Sequence, residues 1–179
     1  NSGRLLAQNS LVRHPDTIET AGYMNILFSD KTGTITEGKL SVVDFFLGDG
    51  TLYETTDESS AADFSSMSEK LLKQVIHGIG LNNDANVADG IAVGSNATDR
   101  ALLDFLINRN LLDFDTNTIA EKEQFNSAKK YASVTTKSGE IYIKGAPEFI
   151  LDDCHFYLDK DGNKTAFTAA DKDKFSAIS

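Results

Sequence analysis

Tryptophan is missing from this 179-residue chain, and cysteine, histidine and proline are scarce: one Cys, three His and two Pro. The lone Cys154 excludes an internal disulfide and any zinc site built of cysteines alone. His14, His77 and His155 are scattered, show no paired ligand spacing, and read as structural or surface residues. No run of about 18 apolar residues exists, so no segment reads as a membrane span. Basic residues are also short, 17 Lys and Arg against 27 Asp and Glu, for a formal net charge of −10. An acidic chain repels phosphodiester backbones, which argues against nucleic acid as a partner. Residues 1–10 are mixed and polar and do not read as a secretory leader. What is present is ordinary for a globular chain, with 40% hydrophobic and 25% charged residues. That is enough for one domain with a real core, or one domain plus part of another.

Both ends carry helix-like text, residues 2–13 and 169–179, so the chain reads as a possible piece of something larger. Leu5, Leu6 and the residues to Val12 suit a short amphipathic helix, and Pro15 marks the start of another. Met24-Asn25-Ile26-Leu27-Phe28 is a nearly continuous apolar run ending at Ser29-Asp30, as expected of a strand buried on both faces. Gly33 then allows a sharp turn. Three hairpins are expected: residues 42–47 with 51–53, residues 131–134 with 141–143, and residues 156–158 with 165–167. Residues 57–68 are rich in Ser and acids and read as a surface loop. Helical spacing of apolar residues predicts helices over 69–81 and 97–108, with Thr98 as the cap of the second. A further helix is expected to start at Pro147.

The strongest local signal is Asp30-Lys31-Thr32-Gly33-Thr34-Ile35-Thr36. A carboxylate at the C-terminal end of a parallel strand lies where open α/β sheets bind ligands. Aspartate can act as a nucleophile and form an acyl phosphate. Neighbouring hydroxyls and N–H groups can hold phosphate oxygens, with Mg²⁺ offsetting the charge. A bare strand ending in a polar turn would look similar. A phosphatase on such a strand needs a second acid two positions on, to protonate the leaving group and activate water. Thr32 stands there, so an aspartyl phosphate should hydrolyse slowly and survive long enough to drive another event.

This heptapeptide resembles the phosphorylation motif of P-type ion-transporting ATPases. Upstream, Asn9-Ser10-Leu11-Val12-Arg13 and Ile18-Glu19-Thr20-Ala21-Gly22 are similar to the segment that links the fourth membrane helix to the phosphorylation domain. Three islands downstream are similar to the family's nucleotide-binding domain. The first is Gly94-Ser95-Asn96-Ala97-Thr98-Asp99-Arg100-Ala101-Leu102-Leu103, in which the family's acid after Thr reaches the adenine amino group. Asp99 is one methylene shorter than the usual Glu, and it also suits a helix N-terminus. The second is Phe125-Asn126-Ser127-Ala128-Lys129-Lys130-Tyr131, where the resemblance implies that Phe125 stacks on adenine and Lys130 lines the pocket. Without the resemblance, Phe125 reads as a core residue. Ser127 replaces an Arg found in some relatives. The third is Lys144-Gly145-Ala146-Pro147-Glu148, which implies Lys144 deep in the ATP pocket and Gly145 giving the base close access to the backbone. Gly145 and Pro147 equally suit a strand-to-helix turn. Residues 121–144 hold five Lys and three Glu, leaving 12 basic and 24 acidic residues elsewhere, so positive charge gathers where a polyanion would bind.

The resemblance implies an α+β chain: residues 1–36 begin a haloacid-dehalogenase-like phosphorylation domain, a short α/β piece ending in a hinge near residues 36–39. Residues 37–179 form most of a nucleotide-binding domain, an antiparallel sheet flanked by helices, incomplete at its C-terminal end. It implies ATP and Mg²⁺ as cofactors, with Asp30, Lys31 and Thr32 as the catalytic segment. Asp30 is the nucleophile, and its carboxylate and the Thr32 carbonyl hold the metal. The partners implied are the remaining phosphorylation, actuator and membrane domains of the same pump, at the plasma membrane. Calcium is the cation favoured by the first and third islands. The family's later phosphorylation motifs find no match before Ser179, so the chain is expected to bind ATP weakly without turning it over. Two other readings stay open: a nucleotide-binding module without catalysis, and a haloacid-dehalogenase-type phosphatase. The P-loop-like stretch from Gly33 ends in Leu40 where a Mg²⁺-binding hydroxyl is needed. The calcium-loop-like Asp159-Lys160-Asp161-Gly162-Asn163 has its Gly two positions early and Ala170 at position twelve, and reads better as a hairpin turn. Asn96-Ala97-Thr98 and Asn163-Lys164-Thr165 fit the glycosylation pattern, which a cytosolic domain would never use.

Overall fold

The computed structural model describes residues 22–54 and 66–176. The helix expected over residues 5–12, the start at Pro15 and most of the acidic loop lie outside the described residues. The chain divides into two compact units, Asn1–Lys39 and Leu40–Ser179.

In the first unit the expected strand over residues 24–28 does not form. Met24, Ile26, Leu27 and Phe28 are 57%, 72%, 73% and 94% exposed. Among the described residues no strand pairs with them. A parallel strand exists only as a ladder with neighbours, which an apolar run cannot supply by itself. The heptapeptide instead closes into a π-helical turn, Lys31–Ile35. The Thr36 N–H donates to Lys31 O at 3.0 Å, and the Thr36 hydroxyl donates to the same oxygen at 3.2 Å. Gly33 takes the positive φ the turn needs, +79°.

The second unit is mixed α and antiparallel β. Its core is built on helix α1 (Glu69–Leu81) and helix α2 (Ala97–Asn108). Leu71, Val75 and Ile76 form one face of α1 and meet Phe105 and Leu106 of α2, with Leu47, Tyr53 and Met67 completing the cluster. Gly80 is required there, because a Cβ would lie 2.4 Å from the Phe114 ring. The Ser68 side chain caps α1 by accepting from Leu71 N at 3.3 Å. The cap of α2 is Asn96, not Thr98: the Asn96 side-chain oxygen Oδ1 accepts from Thr98 N and Asp99 N at 2.9 and 3.2 Å. Thr98 already lies inside the first turn.

Hairpin β1 (Asp44–Phe46) with β2 (Leu52–Glu54) forms as expected. Hairpin β3 (Asn86–Ala88) with β4 (Ile91–Val93) was not expected, although its turn residues, Asp89 and Gly90, are a strong hairpin signal. Both take positive φ, 51° and 78°. The main sheet is β5 (Ile119–Asn126), β6 (Tyr131–Thr136) and β7 (Ile141–Gly145), antiparallel in that order. Lys122 pairs with Val134, which pairs with Tyr142; Ala132 pairs with Lys144. Ala132, Val134 and Thr136 are buried on one face, so Lys122, Tyr142 and Lys144 share that face. After β7 come a short helix α3 (Pro147–Ile150), hairpin β8 (Phe156–Leu158) with β9 (Lys164–Ala166), and α4 (Ala169–Ser176). The β8–β9 turn uses the Asp159 carboxylate as a backbone clasp, accepting from Asp161 N and Asn163 N at 3.0 and 2.8 Å.

Candidate functional site

The end of α1 organises the site. A helix leaves its last carbonyls without intrahelical partners and carries partial negative charge there. Two lysines from the buried face of the sheet answer that need. Lys144 of β7 donates to Asn82 O at 2.7 Å, and Lys122 of β5 donates to Asn83 O at 2.6 Å. The Asn82 side chain, 2% exposed, donates to Ala132 O and Tyr142 O at 3.1 and 3.0 Å, tying the helix end to β6 and β7.

The start of α2 reaches the same place. Asp99 is 3% exposed. One carboxylate oxygen receives the Lys144 ammonium in an ion pair. The other accepts from Asp84 N at 3.0 Å. The Asp99 carbonyl accepts from the Asn83 side chain at 3.0 Å. Asp84 in turn pairs with Lys122 at 2.8 Å. Six residues from four elements or their ends thus form one network that contains two Lys–Asp ion pairs. Burying a charge is tolerated only with such partners.

Of the residues singled out in the sequence, the fold joins Asp99 directly to Lys144. Phe125 and Lys130 flank the turn between β5 and β6. Phe125 is 55% exposed, so it is not a core residue. Asn126 builds the turn: its side chain accepts from Ala128 N and Lys129 N at 2.8 and 3.2 Å, and its carbonyl accepts from Lys130 N at 2.7 Å. Lys130 adopts φ 63°, and among the described residues its ammonium has no partner. Its carbonyl accepts from Ala146 N at 3.2 Å, which draws the turn against the end of β7. Gly145 lies there, paired with Tyr131. A Cβ on Gly145 would come 2.6 Å from both Lys130 O and Tyr131 Cβ, so the neighbouring strand itself demands glycine. Lys129 pairs with Glu123, and that hydrogen bond, then the Glu123 charge, holds its ammonium above the usual lysine range. The Tyr142 phenol is pushed up by burial and then by Glu140.

Asp30, Lys31 and Thr32 belong to the other unit. Asp30 is exposed, with extended backbone, φ −67° and ψ 146°, immediately before the π-helical turn. The sequence did not single out Asn82, Asn83, Asp84 or Lys122. An Asn-Asn-Asp run directly after an apolar helical pattern was the available signal, since such residues end helices.

Comparison with known proteins accords with this architecture. The family described as P-type ATPase, cytoplasmic domain N, matches residues 71–179. A probable calcium-transporting ATPase 6, plasma membrane-type, of Oryza sativa subsp. japonica is 34% identical over 172 residues, covering 89% of this chain and 17% of that protein. Calcium-transporting ATPase 8, plasma membrane-type, of Arabidopsis thaliana is 30% identical, covering 92% of this chain and 16% of the relative. Plasma membrane calcium-transporting ATPase 4 of Bos taurus is 30% identical, covering 96% and 15%. The chain belongs to the P-type ATPases and contains their cytoplasmic N domain. It spans between 15% and 17% of the length of these relatives. No helix among the described residues is long and apolar enough to cross a membrane.

Proposed function

We propose that this chain is the ATP-binding cytoplasmic portion of a calcium-transporting P-type pump of the plasma membrane, with Asp30 as the phosphate acceptor. The observation that carries the proposal is the coexistence of the Asp30 heptapeptide with an N domain whose Lys144 is held in place by buried partners. Adenine lies on the exposed face of Phe125, and the Lys130 and Lys144 ammonium groups meet the polyanion. Gly145 keeps the end of β7 tight against the β5–β6 turn beside them.

In the complete pump, an Asp30 carboxylate oxygen attacks the γ-phosphorus in line. The bond to the bridging oxygen breaks, ADP leaves and an acyl phosphate forms. With Thr32 where a phosphatase carries its second acid, that phosphate persists and can bias the membrane helices between two states. The residues 1–36 segment is then the start of the haloacid-dehalogenase-like phosphorylation domain, and the actuator and membrane domains of the same pump are its partners. Among the described residues no group of three His, Cys, Asp or Glu side chains could hold a metal. Mg²⁺ commonly takes one or two carboxylates and fills its shell with phosphate oxygens and water. The Asp30 carboxylate and the Thr32 carbonyl fit that role once phosphate is present, and the ion would offset charge on the transferring group. Because the family's later phosphorylation motifs find no match in this chain, binding without turnover is expected of it alone.

The test is an NMR shift titration with ATP, with and without Mg²⁺, on wild type and Phe125→Ala. Saturable shifts at Lys130, Lys144 and Gly145 that vanish in the variant are expected. A folded wild-type chain showing no shifts would overturn the proposal. Phe125 is half exposed, so its truncation should leave the fold intact.

A further inference from the structure

We propose that Lys122 is a positioning residue of this nucleotide site: it sets the Asp99 carboxylate, and through it Lys144, by way of the single peptide unit that joins Asn83 to Asp84. The inference rests on the ATP-site reading above and deepens it. Lys122 stands where an apolar residue would be expected. It shares the buried face of the sheet with Val134, its partner in β6, which is 0% exposed. A charge on such a face is costly without partners. The Lys122 ammonium finds two on the segment that leaves α1, the Asn83 carbonyl at 2.6 Å and the Asp84 carboxylate at 2.8 Å. The far side of that same peptide unit meets the next charge, because the Asp84 N–H donates to Asp99 Oδ2 at 3.0 Å. A cation on the carbonyl draws electron density from the amide nitrogen, so the N–H becomes a stronger donor. The Asn83 side chain adds a second tie. It donates to the Asp99 carbonyl at 3.0 Å, while its own oxygen accepts from Ala85 N at 2.8 Å. Asp99 Oδ1 then pairs with Lys144. The order is ammonium, polarised peptide, carboxylate, ammonium. Each Asp99 oxygen keeps a further lone pair, so a ligand can still bond to the carboxylate that this chain of contacts orients.

The experiment records amide NMR spectra and ATP titrations of the chain as wild type, Lys122→Met and Lys122→Gln, with urea midpoints as the check on folding. Methionine keeps the apolar stem of lysine and removes the charge and the donor. In Lys122→Met the Asp84 amide proton should move upfield and exchange faster with solvent, and ATP should bind about three- to tenfold more weakly. Lys122→Gln is neutral but still a donor. It should move both readouts less and in the same direction, and it carries the test if the Met variant does not fold. A lysine that only stabilised the fold would lower the urea midpoint and leave the Asp84 amide of the folded protein in place, which would overturn the proposal. Weaker ATP binding with the Asp84 amide unmoved would put Lys122 on the nucleotide itself and would overturn it too. An Asp84 amide that moves while ATP affinity holds would remove the positioning role. If ATP does not bind the folded wild type, the ATP-site reading falls and the role of Lys122 in that site falls with it. The Asp84 amide then still decides whether Lys122 acts on the donor that holds Asp99.

Discussion

At the scale of single residues, the site separates what local text can show from what it cannot. Gly145 stands out in the sequence as a turn or a close approach, and the approach is real, but it is to Lys130 O and Tyr131 Cβ of the adjoining strand. Gly145→Ala must push β7 away from β6, and such overpacking costs about 1–3 kcal/mol. Urea denaturation should show that loss, together with weakened ATP binding. A variant as stable as wild type would mean the strand end yields freely. Phe125 reads from sequence as core because it is large and apolar, yet it is 55% exposed. Its neighbours in the chain say nothing about which side of the β5–β6 turn faces water. Lys122, Asn82, Asn83 and Asp84 were illegible for a different reason. Their contacts join the end of a helix to strands some 40 to 60 positions away, 39 for Lys122 with Asn83 and 62 for Lys144 with Asn82, and no local pattern encodes such pairing.

At the scale of elements, periodicity carried the reading where burial is one-sided. Helices α1 and α2 follow the expected bounds because apolar residues recur at helical spacing and meet a common core. Strand β5 is not legible in the sequence. Its eight residues, with Glu121, Lys122, Glu123 and Gln124, show no alternation of apolar and polar, and tertiary pairing with β6 overrides that composition. The apolar run at residues 24–28 errs in the opposite sense, having strand composition but, among the described residues, no strand to pair with. The start of α2 offers a test of which residue ends the helix. Asn96→Ala removes the acceptor of two backbone N–H groups and should destabilise by about 1 kcal/mol. Thr98→Ala, in the first turn, should change stability by less than about 0.5 kcal/mol. Thermal melts of the two variants compare them directly, and equal losses would contradict Asn96 as the cap. Because Asn96 also holds Asp99 N, the first variant should loosen the Asp99–Lys144 pair as well.

At the scale of the whole molecule, the acidic excess meets the aromatic groups of three different sheets. Tyr53 lies on β2, Tyr142 on β7 and Tyr157 on β8. In each, burial is the larger cause that pushes the phenol above the usual value of 10.0, and nearby carboxylates add to it. Asp49, in the β1–β2 turn, acts on both Tyr53 and Tyr157. The sign follows from which form the fold prefers. The folded state keeps these phenols neutral, whereas the unfolded chain releases their protons near pH 10.0. Their contribution to stability is therefore whole below that pH and is lost as pH rises through the higher folded values. Urea midpoints should be level on the neutral side of pH 10.0 and fall beyond it, with tyrosinate absorbance lagging in the folded protein and appearing on unfolding. Replacing Asp49 with Asn should let Tyr53 and Tyr157 ionise more readily, so their tyrosinate signal moves to lower pH while that of Tyr142 stays. Burial remains the main restraint, so the movement should be partial. If all three signals moved together, the acid would be acting through the fold as a whole. If none moved, burial and the carboxylates that remain, Asp161 beside Tyr53 and Asp171 and Asp159 beside Tyr157, would account for the resistance of these phenols to ionisation.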